Sequence, residues 1–294
     1  MKELITIITP TYNRLKEITE LYASLCNQSN KNFVWIVIDD GSEDNTHIFF
    51  DKIIKSSNIK IEYYYKKNGG KHTALNYAFK KIKTKLFCVV DSDDYLIKDA
   101  IQIIENNYDK YKNDDIFGFV YLKGYSIDNP TTVKFKDDEF VGDYILDIIN
   151  KQPHGDRFEV FYTDLIKNNE FPVYKNEKFI GEGYFWNKIS RNNKLVFINK
   201  VLYICDYLTG GLTKQGRKMR IMNSMGGMTH ANEYIRKDYS LKLRIKNMIL
   251  LQTYYYFAKE QGKEPSIIKN SFLKIICFVP GFVLYLLWKK KYYN

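Results

Sequence analysis

An acidic turn follows a short apolar run in the first third of the chain. Residues 86–90 read Leu-Phe-Cys-Val-Val, too apolar to alternate, and this pattern predicts a buried strand. Asp91 and Asp93 follow one residue apart, with Asp94 next. Two carboxylates at this spacing can approach one hard divalent cation, which prefers oxygen ligands and phosphate. The turn is therefore a candidate metal–diphosphate site; the alternative is a solvated turn whose aspartate caps the next helix.

Three further loops place polar residues directly after predicted strands. They are residues 9–14 (Thr-Pro-Thr-Tyr-Asn-Arg), 39–42 (Asp-Asp-Gly-Ser) and 67–72 (Lys-Asn-Gly-Gly-Lys-His). In a parallel sheet, these loops and the acidic turn lie at the one edge where ligands bind. Tyr12 could stack on a base, and Asp40 could accept a hydrogen bond from an imide N–H such as that of uracil. Lys71 stands at a predicted helix start, which favours phosphate, although a solvated lysine is the alternative.

Alternating strands and helices must position these loops. The pattern predicts strands over residues 4–9, 33–39, 59–65 and 86–90 and helices over residues 14–26, 43–55 and 71–83. This alternation implies right-handed βαβ units, so the predicted fold class is α/β with a mostly parallel central sheet flanked by helices. Further along, the pattern predicts helices over residues 99–108 and 182–191 and strands over residues 116–122, 158–162 and 201–207.

Composition limits the classes of protein that fit. The chain has 294 residues, 45% of them hydrophobic, enough for one large domain or one domain with an extension. Its four cysteines are far apart and form no CxxC pair, which argues against a zinc ribbon or a redox pair. The first apolar run, residues 4–8, is too short for a secretory signal. Three of the cysteines lie in apolar runs, where we expect reduced, buried thiols, and these fit a cytoplasmic protein.

Charge is distributed unevenly along the chain. The net charge of +11 favours nucleic acid, anionic membrane or phosphorylated substrates as partners. Basic residues are concentrated from Lys214 onward, where the pattern is helical. We therefore expect a catalytic α/β domain over residues 1–213 and a basic, membrane-associating helical extension over residues 214–294.

The end of this extension is apolar. Residues 272–288 contain one charged residue, Lys274, and are interrupted by Pro280-Gly281. The run is shorter than the roughly 20 apolar residues that span a bilayer, and lysines follow it. These features predict that residues 267–294 lie on the inner leaflet as an interfacial segment. The alternative is a C-terminal helix packed on the domain.

The four motifs together resemble family 2 glycosyltransferases of the bacterial surface-polysaccharide type, which have the GT-A fold. The matching segments are residues 8–13, 37–42, 69–76 and 91–94, in the family's order and spacing. The resemblance implies that Asp93 binds the metal, Mg2+ or Mn2+, and that Asp91 faces ribose or sugar. It implies a nucleotide-sugar site formed by Pro10, Tyr12, Arg14, Asp39, Asp40, Lys71, Asn76, Asp91, Ser92, Asp156, Arg157 and Lys214.

The second half of the chain matches this family more loosely. Many members have Glu-Asp at a helix start, with a carboxylate as general base; here Glu182 is followed by Gly183. Glu182 is then the best available base, and the alternative is a helix-start acid that favours the helix dipole. Asp156 could accept hydrogen bonds from sugar hydroxyls, Arg157 could reach a phosphate, and an ordinary Asp–Arg pair is the alternative. Lys214 lies in a basic segment that resembles the family's closing flap, or alternatively touches membrane phosphate.

The resemblance implies an inverting transfer of a sugar, most simply from a UDP-linked donor, to a hydroxyl of a glycan or lipid-linked acceptor in surface-polysaccharide synthesis. Asp93 and Glu182 would be the catalytic residues, and the enzyme would be peripheral on the inner face of the cell membrane. A sugar nucleotidyltransferase is an alternative, although residues 9–14 lack the glycine-rich loop that such enzymes need. A nucleic-acid-binding protein fits the charge but not the acidic turn, which would repel phosphates, so we expect no nucleic-acid partner.

Overall fold

The computed structural model describes residues 3–151, 155–205, 212–266 and 272–293, without the side chains of residues 212–215. Within these ranges the strands are β1 (Ile5–Thr11), β2 (Phe33–Asp39), β3 (Lys60–Tyr65), β4 (Leu86–Val89), β5 (Asp94–Leu96), β6 (Gly118–Ser126), β7 (Asn129–Pro130), β8 (Glu139–Asp143), β9 (Arg157–Tyr162) and β10 (Lys194–Cys205). The α-helices are α1 (Leu15–Cys26), α2 (Thr46–Ile53), α3 (Lys71–Phe79), α4 (Ala100–Tyr111), α5 (Gly183–Ser190), α6 (Leu212–Met222), α7 (Ser224–Glu233), α8 (Leu241–Glu260), α9 (Phe272–Ile276) and α10 (Phe278–Trp288). Shorter helical turns cover Tyr144–Ile149, Thr163–Ile166 and Lys289–Tyr293.

The strands form one open sheet in the order β3-β2-β1-β4-β9-β6-β10-β5, with β7 beside β6 and β8 beside β10. The first four strands of this order are parallel. Strand β9 is antiparallel to both β4 and β6, and β10 is parallel to β6 but antiparallel to β5 and β8. The carboxyl ends of β1, β2, β3, β4 and β6 therefore share an edge with the amino end of β9.

The predicted α/β fold with an open central sheet flanked by helices is confirmed. The sheet is less parallel than the sequence suggested, because β9 and β5 run against their neighbours. The sequence pattern does not predict β5, β7 and β8, which are short. The pattern also predicts that one strand ends at Leu122, whereas β6 continues to Ser126.

The parallel strands β1 and β2 are buried on both faces, which explains their apolar residues. Every residue of β1 and β2 is buried. Trp35 packs against Tyr22 and Phe50, with ring centroids 6.0 and 5.5 Å away. The Trp35 Nε1–H donates to Thr9 Oγ1 at 2.9 Å, so both polar atoms are paired inside the core. Packing thus holds the ends of β1 and β2 side by side.

The chain divides into two compact units, each built from separate segments. The first contains Met1–Tyr144, Gln152–Glu170 and Asn192–Asp206 and includes the whole sheet. The second contains Ile145–Lys151, Phe171–Arg191 and Tyr207–Asn294, and it includes α5 to α10. The helical unit therefore takes two segments from the middle of the chain in addition to the C-terminal residues.

Within the second unit, α10 packs closely on α8. A Cβ atom at Gly281 would lie 2.7 Å from Gln252 Cβ, so only glycine permits this approach. The Thr253 hydroxyl donates to the Gly281 carbonyl oxygen at 3.0 Å. No helix in the described ranges combines the length and apolarity that a membrane crossing requires.

Candidate active site

The loops after β1 and β2 are joined by hydrogen bonds. The Asn13 N–H donates to Ser42 Oγ at 2.9 Å, and the Glu43 N–H donates to Asn13 Oδ1 at 2.8 Å. Asn13 has a φ of +50°, a conformation that asparagine tolerates better than most residues. The two predicted binding loops therefore form one connected edge, with Tyr12 left 45% exposed on it.

Asp40 connects the loop after β2 to the loop after β3. Its carboxylate accepts the Gly69 N–H at 3.0 Å and the Gly70 N–H at 2.7 Å, and it pairs with the Lys66 ammonium. Asp40 is 4% exposed. Its oxygens thus bind the chain itself, where the sequence suggested an imide N–H of a ligand. The same residue shapes the edge on which Tyr12 lies.

Asp39 also has a partner for each oxygen. It accepts the Ser42 N–H at 2.7 Å and the Tyr63 hydroxyl at 2.6 Å. Gly41, between them, has a φ of +87°, and a Cβ there would lie 2.8 Å from the Asn68 backbone nitrogen. The loop after β2 therefore requires glycine at this position.

Tyr203 of β10 holds the acidic turn after β4 in shape. Its hydroxyl accepts the Asp91 N–H at 3.0 Å and donates to Asp94 Oδ2 at 2.6 Å. Asp94 forms no helix cap; it begins β5, and its N–H donates to the Asp91 carbonyl at 3.2 Å. Carboxylate oxygens of Asp91, Asp93 and Asp94 lie within 4.8 Å of one another. Three hard oxygen donors at this spacing fit a divalent cation.

Side-chain cations neutralise two of these carboxylates. Arg14 forms an ion pair with Asp93. Lys71, at the start of α3, pairs with Asp91 at 2.5 Å. These side chains are partly exposed, from 19 to 34%. The structure thus brings four predicted site residues, Arg14, Lys71, Asp91 and Asp93, together around one turn.

Burial and charge act in opposite directions on the turn. Burial raises the pKa of the Asp91 carboxyl, but the Lys71 and Lys123 ammonium groups outweigh it and hold the pKa below its ordinary value. Burial raises the pKa of Asp94 to about 7, and the neighbouring charge of Asp91 adds to this shift. The charge on Asp91 is thus stabilised by side-chain cations, whereas a charge on Asp94 is stabilised less.

Further polar residues lie on β9, beside β4. Arg157 is 7% exposed, packs over the Phe135 ring with its guanidinium carbon 5.3 Å from the centroid, and donates weakly to Thr132 Oγ1 at 3.4 Å. Glu159 accepts the Tyr144 hydroxyl at 2.6 Å, and burial raises its pKa to about 7. Asp156, the neighbour of Arg157 in the chain, is exposed.

The remaining predicted contacts occupy different environments. Pro10 is buried in β1 opposite Ile38 of β2. Asn76 lies buried in α3, and Ser92 is buried within the acidic turn. The Lys214 side chain lies outside the described residues. Of these residues, Ser92 is at the carboxylate cluster itself.

Glu182 belongs to the second unit and precedes α5. Its carbonyl oxygen accepts the Phe185 N–H at 2.7 Å, which starts the helix, and its side chain makes no capping hydrogen bond. A Cβ at Gly183 would lie 3.4 Å from the Tyr234 hydroxyl and 3.8 Å from His230 Nε2. These are ordinary contact distances, so the backbone alone does not dictate glycine at this position.

Sequence reasoning missed Lys123, Tyr203 and Glu159. Lys123 lies one residue past the predicted end of its strand, and Tyr203 and Glu159 lie inside predicted strands. A charged residue within an otherwise apolar strand was the available signal for Glu159. Tyr203 gave no signal, because its role depends on the pairing of β10 with β5, more than 100 residues apart in the chain.

Comparison with known proteins agrees with this geometry. The family model described as glycosyl transferase family 2 matches residues 6–167, more than half of the chain. An uncharacterized glycosyltransferase of Rickettsia typhi is 37% identical over 124 residues, which cover 42% of this chain and 37% of that protein. The chain thus spans little more than a third of this relative's length.

Two solved structures have a similar fold. The structure of residues 1–349 of TarS from S. aureus in complex with UDP-GlcNAc matches with a TM-score of 0.62 and 22% identity, over 87% of this chain and 73% of that one. The mannosyltransferase PcManGT from Pyrobaculum calidifontis, in complex with GDP-Man and Mn2+, matches with a TM-score of 0.57 and 17% identity, over 99% of this chain and 84% of that one. By its sequence match and its fold, the chain belongs to glycosyl transferase family 2.

Proposed function

We propose that the protein is an inverting glycosyltransferase that moves a sugar from a UDP-linked donor to a hydroxyl of a glycan or lipid-linked acceptor. The observation that supports this most directly is the cluster of Asp91, Asp93 and Asp94 at the carboxyl end of a parallel strand, in a member of this family. UDP-GlcNAc bound to TarS makes a UDP-linked donor the first choice.

The edge formed by β1 and β2 would bind the nucleoside. Tyr12 is exposed there and can stack on a base. Asp40 and Asp39 act on this site indirectly, since their oxygens hold the loops that surround it. Pro10 and Asn76 would support the edge from buried positions.

The acidic turn would bind the diphosphate together with Mg2+ or Mn2+. Asp93 would be the principal ligand, with Asp91 and Asp94 close enough to share the ion. When bound, the ion would stabilise the negative charge that develops on the leaving nucleoside diphosphate. Lys71 and Arg14 would then be released from their aspartates and could contact phosphate oxygens. Mn2+ in the PcManGT complex makes this ion the first to test.

The acceptor hydroxyl needs a base, and Glu182 is our proposal. A carboxylate placed near this hydroxyl would remove its proton as the oxygen attacks the anomeric carbon from the face opposite the diphosphate. One such displacement inverts the anomeric configuration. Asp156 and Arg157 would bind the sugar or an acceptor phosphate, and Lys214 would close over the diphosphate.

The decisive experiment is a transfer assay with a panel of nucleotide-sugars, in Mn2+ or Mg2+ and in EDTA. We expect one or a few UDP-sugars to be consumed, with activity lost in EDTA and restored by the metal. Consumption of a nucleoside triphosphate with pyrophosphate release would support a nucleotidyltransferase instead. A product that retains the donor's anomeric configuration, determined by NMR, would remove Glu182 from its assigned role.

We also propose that residues 267–294 bind the inner face of the membrane, where a surface-polysaccharide acceptor would be held. The outer face of α10 leaves apolar side chains 41 to 60% exposed, namely Phe282, Val283, Leu286 and Leu287. Lys289, Lys290 and Lys291 follow directly. An apolar face bordered by lysines suits anionic lipid, each lysine contributing about 1 kcal/mol near such a surface.

Vesicle sedimentation tests this second proposal. The protein should bind phosphatidylglycerol vesicles more tightly than phosphatidylcholine vesicles, and combining Phe282→Ser with Leu287→Ser should weaken this binding at least about tenfold by the lost apolar burial. Val173→Ser is the matched control, since Val173 is 63% exposed on another part of the same unit. Equal binding by the double variant and the control would contradict the proposal.

A further inference from the structure

Lys123 is a cation beside the acidic turn that no motif predicted. It lies on β6 opposite Tyr203 of β10, and its ammonium stands over the Tyr203 ring, 4.0 Å from the centroid. The same ring places its hydroxyl between the Asp91 N–H and the Asp94 carboxylate. One side chain therefore positions both the cation and the carboxylate turn.

The charge of Lys123 acts on three acidic groups. It lowers the pKa of Asp91, Asp94 and Glu159, against the effect of burial, which raises the pKa of each of these carboxyls. In the strand order β4-β9-β6-β10-β5, Asp91 follows β4, Glu159 lies on β9 and Asp94 begins β5. Lys123, on β6, therefore lies between strands that carry these carboxyls. The ammonium is attracted to all three and is bound directly to none of them within the described residues.

Other cations near the site differ from Lys123 in this respect. Arg14 is paired with Asp93, Lys71 with Asp91 and Lys66 with Asp40. Among the described residues, the Lys123 ammonium has the Tyr203 ring as its contact and no ion pair. Its three N–H donors are therefore available to an anion without breaking a pair within the protein.

The order of the strands suggests which anion. The proposed base site lies at the ends of β1 and β2, and the acidic turn follows β4. Lys123 lies beyond β4, on β6. A nucleotide-sugar bound along this edge, base at β1 and diphosphate at β4, would direct its distal phosphate and its sugar toward β6.

We propose that Lys123 binds the distal phosphate of the nucleoside diphosphate, the phosphate whose bond to the sugar breaks. This inference depends on the proposed function, since it identifies a further residue of the same site. In the reaction the acceptor oxygen forms the new bond to the anomeric carbon, and the bond between that carbon and the distal phosphate oxygen breaks with its electron pair left on the phosphate. Lys123 meets the charge that this oxygen gains.

The test measures the affinity of the full chain for UDP and for UMP, by titration calorimetry in Mn2+. Lys123→Met should weaken UDP binding about tenfold to a hundredfold, the range for a lost hydrogen bond to a charged group, and should change UMP binding less than about threefold. Lys123→Arg, which keeps the charge, should retain UDP affinity within about threefold. Lys98→Met is the control for the loss of one charge, since Lys98 is exposed next to β5.

The outcomes separate this inference from the proposed function. If wild-type protein binds no nucleoside diphosphate of a panel containing UDP, GDP, ADP and CDP, the proposed function fails and the inference fails with it. If wild-type protein binds one of them and Lys123→Met binds it equally well, the inference alone is overturned. Equal losses for UDP and UMP, with a lower melting temperature, would assign Lys123 to holding the turn together and would also overturn the inference.

Discussion

Two acidic turns follow parallel strands of the same sheet, and they differ in what binds their oxygens. After β2, the Asp39 and Asp40 carboxylates accept backbone N–H groups of Ser42, Gly69 and Gly70, in addition to the Tyr63 hydroxyl and the Lys66 ammonium. After β4, the carboxylates pair with side chains. Arg14 and Lys71 meet two of them and the Tyr203 hydroxyl meets the third.

The two kinds of partner have different consequences. A backbone N–H that is buried cannot leave its acceptor without losing a hydrogen bond, so the turn after β2 is committed to holding loops. An arginine or lysine on a partly exposed ion pair can move when a metal ion or phosphate arrives, at small cost. We therefore expect Asp39 and Asp40 to hold the loops in place and the turn after β4 to bind the ligand.

Asp93→Asn gives the largest effect that this comparison predicts. We expect the transfer rate, kcat/KM, to fall about a thousandfold, because a metal ligand supports several kcal/mol of transition-state stabilisation. The free energy of unfolding should change by less than about 1 kcal/mol, since the pair with Arg14 is partly exposed. Activity and urea unfolding measured on the same sample check both expectations.

Asp99→Asn is the matched control, since Asp99 is exposed next to α4 and its side chain makes no capping hydrogen bond. It should leave both quantities unchanged. Two results would contradict the difference that we expect between the two turns. One is wild-type activity of Asp93→Asn in the presence of the metal ion. The other is a loss of stability as large as that from a substitution in the hydrophobic core.

Asp40→Asn should show the reverse pattern. The amide keeps one oxygen, so its NH2 group would face the N–H of either Gly69 or Gly70, and the Lys66 ammonium would lose its counter-ion. We expect the free energy of unfolding to fall by about 4 kcal/mol, as for removing one member of a buried pair. Urea denaturation measures it, and a loss below about 1 kcal/mol would show that the loops do not depend on this carboxylate.

The sequence could predict where these turns lie but not what each one does. Both are short acidic segments at strand ends, and the parallel strands before them are apolar enough to recognise. Their partners come from elsewhere in the chain. Asp40 meets Gly70 across 30 residues, and Asp94 meets Tyr203 across 109. Pairings at such separations are set by strand order, which local patterns do not encode.

The mixed part of the sheet was harder to predict for the same reason. Strand β9 was recognised from its aromatic and branched residues, but its antiparallel placement between β4 and β6 was not. That placement brings Arg157 and Glu159 to the edge shared with the acidic turn. Lys123 and Glu159 therefore became candidate site residues only once the register was known.

Glu159→Gln tests whether Glu159, on the antiparallel strand β9, contributes to activity together with the acidic turn after β4. Burial raises the pKa of Glu159 to about 7 from its ordinary 4.5, so its ionisation opposes folding. The protonated carboxyl makes its full contribution to stability below about pH 4.5, and this contribution is lost as the pH rises through about 7. Glutamine avoids this loss, so the variant should be more stable than wild type by up to about 3 kcal/mol at pH 8 and equally stable at pH 4.5.

Urea unfolding of both proteins at pH 4.5 and pH 8 measures the difference, and a parallel assay measures transfer. A gain in stability with a loss of activity would indicate that Glu159 contributes to function, like the turn after β4, at the expense of stability. A loss of stability at both pH values would show that its hydrogen bond with Tyr144 outweighs the burial of charge.

Ser42→Ala should have the smallest effect. It tests how much the hydrogen bond between the loops after β1 and β2 contributes to stability. The serine hydroxyl accepts the Asn13 N–H on an exposed edge, where water can replace it. We expect the free energy of unfolding to fall by about 0.5–1 kcal/mol. Since Tyr12 precedes Asn13, nucleotide affinity should fall by no more than about fivefold.

Ser56→Ala is the control, because Ser56 is an exposed serine of the same unit away from this edge. A loss of nucleotide affinity much greater than about fivefold would mean that the loop after β2 contacts the ligand itself. The contrast between the two turns would then no longer hold.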